Sequence, residues 1–311
     1  MTTLIAGCGD LGLNIAKRLM SKNQAVIGLR RRPPISNTAL STLNTTSSTA
    51  SPVINPALPT VNLASNDLFQ WLAVDLRDPA SLIQLSQIAQ NITQVVYSAT
   101  PDQRTPEQYR ASYLEGLQNV SAALGSDALI GNQTRRWVFV SSTAVYGAST
   151  SEWVDETSPT QPDGFNGNVL LETEQFLHQN HQNSVVMRLS GIYGPGRNQI
   201  VQRLQQGLVT APIEPPHYTN RIHIDDAARA IEHVLGLQNP ESVYVVTDQH
   251  PLPMHTLYNH IAKLLGAPPV LVGPSPAGMS SKRLSSQRLV DSGFQHLWPD
   301  AQTGYDALLK T

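Results

Sequence analysis

A single cysteine, Cys8, is present, so no disulfide can form within the chain and a zinc site built from several thiolates is excluded. Charge is scarce as well: Asp, Glu, Lys and Arg make up 14% of the 311 residues, against about a quarter in ordinary globular chains. The two signs nearly cancel, with 21 basic and 23 acidic side chains and a net charge of −2. That balance excludes a strongly electrostatic nucleic-acid or membrane binder. No apolar run approaches the roughly 20 residues that span a bilayer, and the first residues lack a basic stretch followed by an apolar signal core. Lysine is missing from the whole middle of the chain, between Lys22 and Lys263. With 40% hydrophobic residues and a mean hydropathy of −0.20, the expectation is a globular cytoplasmic protein, large enough for a big core or two unequal lobes.

The most informative stretch comes first. Thr3-Leu4-Ile5-Ala6 is a short apolar run ending in Gly7-Cys8-Gly9-Asp10-Leu11-Gly12. Leu11, Ile15, Ala16, Leu19 and Met20 then recur at helical spacing, and Ala25-Val26-Ile27-Gly28-Leu29 follows as a second apolar run. Strand, glycine turn, amphipathic helix and strand within about thirty residues make a βαβ unit of the dinucleotide-binding type. Gly7 permits the tight turn, Gly9 lets the backbone approach a pyrophosphate, and Gly12 lets the helix pack on the strand. Asp10 and Leu11 open the helix, whose free amides and positive dipole end favour phosphate. Cys8 fills a place that needs only a small residue.

Cofactor preference is read after the second strand. A site for NAD places a carboxylate there for the ribose 2′-hydroxyl, whereas this chain reads Arg30-Arg31-Arg32 and its next acid is Asp67. A guanidinium fork suits a 2′-phosphate, so Arg30 and Arg31 favour NADP over NAD. Residues 33–66 carry no charge and are rich in Ser, Thr, Asn and Pro, which reads as a flexible insertion. Strands and helices then alternate: strand 70–74, helix 80–90, strand 94–99, helix 106–124, strand 136–142, helix 168–180 and strand 185–189. Continuous apolar strands alternating with helices predict an α/β fold, a Rossmann-type doubly wound parallel sheet, with ligands at the carboxyl ends of the strands.

Several motifs resemble the extended short-chain dehydrogenase/reductase superfamily, the group with the NAD-dependent epimerases and dehydratases. They are the opening glycine turn, Asp75-Leu76, Ser141-Ser142-Thr143-Ala144-Val145-Tyr146-Gly147, Arg188-Leu189-Ser190-Gly191-Ile192-Tyr193-Gly194-Pro195-Gly196, and Arg221-Ile222-His223-Ile224-Asp225-Asp226-Ala227-Ala228. The resemblance implies a dinucleotide-binding domain over 1–190, with part of 220–246 added to its sheet, and a smaller C-terminal α/β substrate lobe over 191–311. It further implies that Asp75 and Leu76 flank the adenine, that Ser98, Ala99, Thr100 and Ile192 line the cofactor path, and that Ser142 is the active-site hydroxyl. The implied partner is a small-molecule substrate, with the protein a monomer or homodimer.

What the chain lacks against that family is the engine. The family pairs a Tyr with a Lys four residues later on one helix face, the ammonium lowering the phenol pKa for proton exchange. Aligned on Leu171 and Glu174-Gln175, those places hold Asn166 and Leu170. Tyr193 and Arg197 have the spacing, but Gly194-Pro195-Gly196 between them forbids an ordinary helical pair. The acidic pair that dehydratases carry after the active-site hydroxyl is replaced by Thr143 and Ala144.

The remaining groups read more plainly. Glu172 is a base only if desolvated, and solvation is the ordinary state of a helix carboxylate. Glu152, Asp155 and Glu156 structure a loop. His178 and His181 read as a solvated pair without the further ligands that a metal needs, so no metal site is expected. Asp225 or Asp226 caps a helix. Arg221 is placed to face a substrate anion, and Lys282-Arg283 is a basic turn of the substrate lobe that either meets an anion or lies in solvent. Two readings stand: an NADP-dependent oxidoreductase or epimerase-like enzyme with an atypical site, in which water or another side chain replaces the tyrosine, or a catalytically inactive NADP-binding sensor or scaffold.

Overall fold

The computed structural model describes residues 1–34, 68–125, 127, 134–147, 150–275 and 281–310. The expected insertion therefore lies, from residue 35 onward, outside the described residues. Seven strands form the central sheet: β1 (Thr2–Ala6), β2 (Ala25–Arg30), β3 (Phe69–Ala73), β4 (Ile92–Tyr97), β5 (Arg136–Ser142), β6 (Ser184–Leu189) and β7 (Val243–Val246). Their order is β7-β6-β5-β4-β1-β2-β3, and every pairing is parallel. The chain winds outward from β1 to β3, then returns to lay β4 on the other side of β1. A crevice opens at that reversal, beyond the carboxyl ends of the strands.

Both faces of the sheet are covered, which is why its strands read as continuous apolar runs. On one face, helices α1 (Asp10–Ser21) and α3 (Ile224–Gly236) bury Ile15, Leu19, Ile231 and Val234 against Ile5, Val26 and Val138. On the other face, Leu117, Val120 and, from α2 (Phe165–Asn180), Leu170 and Leu177 pack with Leu4, Val95 and Phe139. A third cluster joins the helix Gln199–Gln205 to α4 (Met254–Leu264) and α5 (Ala301–Leu309) through Leu204, Leu257, Ile261 and Tyr305.

Local differences from the expected elements have identifiable causes. The helix over 106–124 forms in three pieces, Pro106–Tyr109, a wider turn Arg110–Glu115, and Gly116–Leu124. The buried Tyr97 hydroxyl donates to the Ser112 carbonyl at 2.5 Å, and a Cβ on Gly116 would lie 2.3 Å from that hydroxyl. A side chain inserted into the helix ladder widens the turn. The helix α3 is capped by neither expected aspartate: the His223 ring accepts from the Asp225 N–H at 3.2 Å. Asp226 is fully buried and accepts instead from the Leu297 and Trp298 N–H groups and from Arg229.

The expected solvated histidine pair is likewise corrected. His181 is buried, stacked on Trp137 and bonded to Asp127 and Ser121, while His178 bonds Ser184. Glu172 is half exposed and paired with Arg110. Two positions along the helix, Glu174 is buried, holding Arg188 at 2.7 Å and accepting from the Ser141 hydroxyl at 2.5 Å.

Removing one partner of a buried pair strands the other charge, which typically destabilises by about 3–5 kcal/mol, whereas an exposed pair contributes about 0–1 kcal/mol. Urea unfolding is expected to show Glu174→Ala in the first range and Glu172→Ala in the second.

Candidate active site

Gly7 ends β1 with φ +80°. A Cβ there would stand 2.3 Å from the Ala99 Cα, so this residue lets the end of β1 touch the end of β4. Gly12 sits under the start of α1, where a Cβ would meet Ile5 Cγ2 at 3.1 Å and Cys8 Sγ at 3.3 Å. Between them, Gly9 is different, because a Cβ on it would meet nothing within 4 Å. The space above Gly9 and the first turn of α1 is open, next to N–H groups that no helical carbonyl can satisfy. Leu11 is buried, and its N–H bonds the Asp10 carboxylate at 3.0 Å.

From this turn a cavity of about 210 Å³ runs along the carboxyl ends of β1 to β4. It brings together Gly7, Gly9, Arg30, Arg31, Asp75, Leu76, Ala99 and Thr100. Ser98 turns its hydroxyl to the Gly7 carbonyl at 3.2 Å and so ties β4 to β1. Two residues unnoticed in the sequence join the wall. Arg77 grips the Asp75 carboxylate through 2.9 and 2.7 Å contacts and keeps its pKa below the usual value. Asp102 receives both Arg31 nitrogens at 2.7 and 2.5 Å, and those bonds likewise hold its carboxyl low. Among the described residues, the Arg30 side chain has no hydrogen-bond or ion-pair partner and is exposed.

A second cavity, of about 490 Å³, lies beside the first turn of α1 and is lined by Asp10, Ile192, Arg197, Arg203, Arg221 and Tyr258. Arg197 leaves the Gly194-Pro195-Gly196 turn and reaches Asp10 at 2.7 Å, with both of those glycines at positive φ, so no helical pair with Tyr193 exists. Arg221 lines this cavity and also a third one, of about 670 Å³, beyond the ends of β5 and β6.

The third cavity contains Ser142, Thr143, Tyr146, Asn166, His217 and Lys282. Ser142 is the last residue of β5, and its Oγ accepts from the Ala144 N–H at 3.2 Å. The turn after it lies tight against α2, since a Cβ on Gly167 would stand 2.3 Å from the Ala144 carbonyl. Asn166, one residue earlier, lines the cavity; Leu170, one turn later, is buried in the core and does not. The Tyr146 hydroxyl accepts from Arg188 at 2.9 Å, and burial pushes its phenol up to about 12. Burial lowers His217. Lys282 corrects the solvated alternative: it is 7% exposed, on a strand, Ser281–Leu284, paired with Thr150–Val154.

Outside these cavities the acidic loop does what its spacing implies. Asp155 accepts from the Thr157 and Ser158 N–H groups, and Glu156 turns inward to accept from the Val245 N–H at 2.7 Å. Cys8 is fully buried and burial pushes its thiol up to about 12. Only a thiolate reacts readily with disulfide reagents, so Cys8 should resist dithionitrobenzoate at pH 8 in the folded protein and react fully after unfolding.

Among the described residues, no helix is long and apolar enough to cross a membrane, and no group of three or more His, Cys, Asp or Glu could hold a metal ion. The chain is similar to Protein YeeZ of Escherichia coli K12, 32% identical over 191 residues, a match covering 60% of this chain and 66% of that protein, just short of two thirds. A solved candidate NAD-dependent epimerase/dehydratase from Methylobacillus flagellatus superposes with a TM-score of 0.72 at 33% identity, covering 99% of this chain and 97% of the other. The Thermus thermophilus UDP-glucose 4-epimerase, solved with NAD, shares the fold at a TM-score of 0.72 and 20% identity, over 100% of this chain and 98% of its own. Residues 3–246 match the model of the NAD dependent epimerase/dehydratase family, and the chain belongs to that family.

Proposed function

We propose that the protein is an NADP-dependent oxidoreductase or epimerase-like enzyme acting on a small molecule through an atypical active site. The observation that carries this reading is the open space at Gly9, set between Gly7, whose Cβ position is blocked, and Gly12, whose Cβ position is crowded. A dinucleotide pyrophosphate fits there against the amides of α1. Gly7, Gly9, Asp10, Leu11 and Gly12 form the phosphate turn, Asp75 and Leu76 bound the adenine, and Ser98, Ala99, Thr100 and Ile192 line the path toward the nicotinamide. Residues 1–190 carry this half of the site, with 191–311 supplying most of the substrate lobe.

Arg30 supports the preference for NADP. Arg31 already spends its fork on Asp102, whereas Arg30 stands free among the described residues at the rim of the same cavity. Asp102 is the kind of carboxylate that a ribose hydroxyl seeks, but Arg31 and Arg77 balance its charge. When bound, a nicotinamide dinucleotide supplies hydride exchange with a carbon that carries a hydroxyl or carbonyl oxygen. Ser142 meets that oxygen: its Oγ accepts from Ala144 and keeps its own proton to donate. Neither Asn166 nor Leu170 can act as the phenol and ammonium of the family do, so proton exchange passes through water or another side chain.

NADPH is expected to bind more tightly than NADH in a fluorescence titration. A hydrogen bond to a charged group contributes about 1.5–3 kcal/mol, so Arg30→Ala should weaken NADPH by about 10–100-fold and leave NADH nearly unchanged. Equal affinities in the wild-type protein would overturn the NADP preference. Against a panel of aldehydes, ketones and 2-oxo acids, Ser142→Ala should keep NADPH affinity and lose turnover. Tight NADPH binding with no turnover on any compound would turn the reading to the sensor.

A further inference from the structure

Lysine is absent from the helix that should carry one, yet one reaches the same turn from another direction. The Lys282 ammonium donates to the Tyr146 carbonyl at 2.7 Å and, more loosely, to the Thr143 and Gly147 carbonyls at 3.3 Å each. These acceptors belong to the turn that follows Ser142, and Lys282 lines the cavity that Ser142 and Asn166 line. The placement is braced. Asn220 holds the carbonyl of Lys282 at 2.9 Å and the N–H of Leu284 at 2.8 Å, which fixes the register of the strand. Among the described residues, the hydrogen bonds of the Lys282 ammonium go to neutral carbonyls. Burying a cation in this way is expensive, and such groups gather at functional sites.

We propose that Lys282 supplies the positive charge of this active site, donating a hydrogen bond from Nζ to the oxygen of a carbonyl or hydroxyl substrate held against Ser142. The proposal rests on the enzyme reading above and names the group that Leu170 no longer provides. On substrate arrival, one of the two 3.3 Å contacts is exchanged for the substrate oxygen. No bond to carbon forms or breaks at the lysine, and the ammonium polarises the oxygen while Ser142 donates beside it. Burial brings the Lys282 pKa down to about 8, with Asp163 acting in the opposite sense. The other titratable and charged groups facing the cavity are Arg104, Tyr146, His217, Tyr218 and Arg221. A lysine poised in this range donates readily near neutral pH.

The test uses the full chain labelled with ¹³C at the lysine ε-carbons, the Lys282 resonance being assigned from Lys282→Met. Five lysines give a resolvable set. The resonance should titrate near 8, about two units below exposed lysines at about 10.4. In protein saturated with NADPH, it should move when a compound of the aldehyde, ketone and 2-oxo acid panel binds. If Lys282→Met fails to fold, trinitrobenzenesulfonate labelling of the wild-type protein read by peptide mass spectrometry identifies the same amine, and a bound panel compound should protect it. For a compound that is turned over, Lys282→Met should lower kcat/KM by about 10²–10⁴-fold. The fall in kcat/KM above about pH 8 should vanish in Lys282→Arg, whose charge persists. A Lys282 that titrates with the other lysines, or that no compound moves or protects, is a structural tie and overturns the proposal while NADPH binding stands. If NADPH fails to bind but a panel compound still moves Lys282, the dinucleotide reading falls and the lysine assignment holds.

Discussion

Everything at this site depends on one close approach. Gly7 brings the end of β1 against the backbone of Ala99 in a conformation that a side chain would obstruct. With the two strand ends in contact, α1 starts at a fixed height above the sheet, its first turn open toward the crevice. The Ser98 hydroxyl on the Gly7 carbonyl fastens the same junction from the β4 side. Separating the strand ends by the width of one methyl group would shift the amides of α1, the wall formed by Thr100, and the end of β4 together. The cradle is a property of strand pairing as much as of the glycine turn.

The fold was largely legible because its signals are local. A strand buried on both faces has to be apolar throughout, a helix on the sheet has to repeat every three or four residues, and the glycines of the turn follow from sterics. Gly7, Gly9, Arg30, Arg31, Asp75, Leu76, Ala99 and Thr100 also converge on one cavity, whereas Asp10 and Ile192 line the neighbouring one. What was illegible depends on partners distant in sequence. Nothing around Arg31 points to Asp102, 71 residues away, and nothing separates exposed Glu172 from buried Glu174 two positions later on a weakly amphipathic helix. His181 reads as polar surface until Trp137 is found stacked on it. Lys282, between Ser281 and Arg283, has the neighbours of an exposed turn, and only its pairing across to Thr150–Val154 carries it inward.

Helix α2 carries no lysine along its length. At position 170 the chain places Leu170, which joins Leu177 and Phe139 in the core under α2. The neighbouring buried charges are matched at close range, Arg188 by Glu174 and Tyr146. The polar network behind β5 therefore needs no further cation. Lys282 enters from the C-terminal part of the chain and grips the turn between Ser142 and Gly147, which makes the position of that turn depend on segments folded from both ends of the sequence.

The ion pair between Asp10 and Arg197 has a consequence for the charge at the start of α1. A helix start alone welcomes any passing anion, sulfate and chloride included. A carboxylate set at its threshold, with a guanidinium from a distant loop leaning on it, makes that welcome conditional. The two opposite charges cancel, so the pull on an anion there is left to the backbone amides of α1.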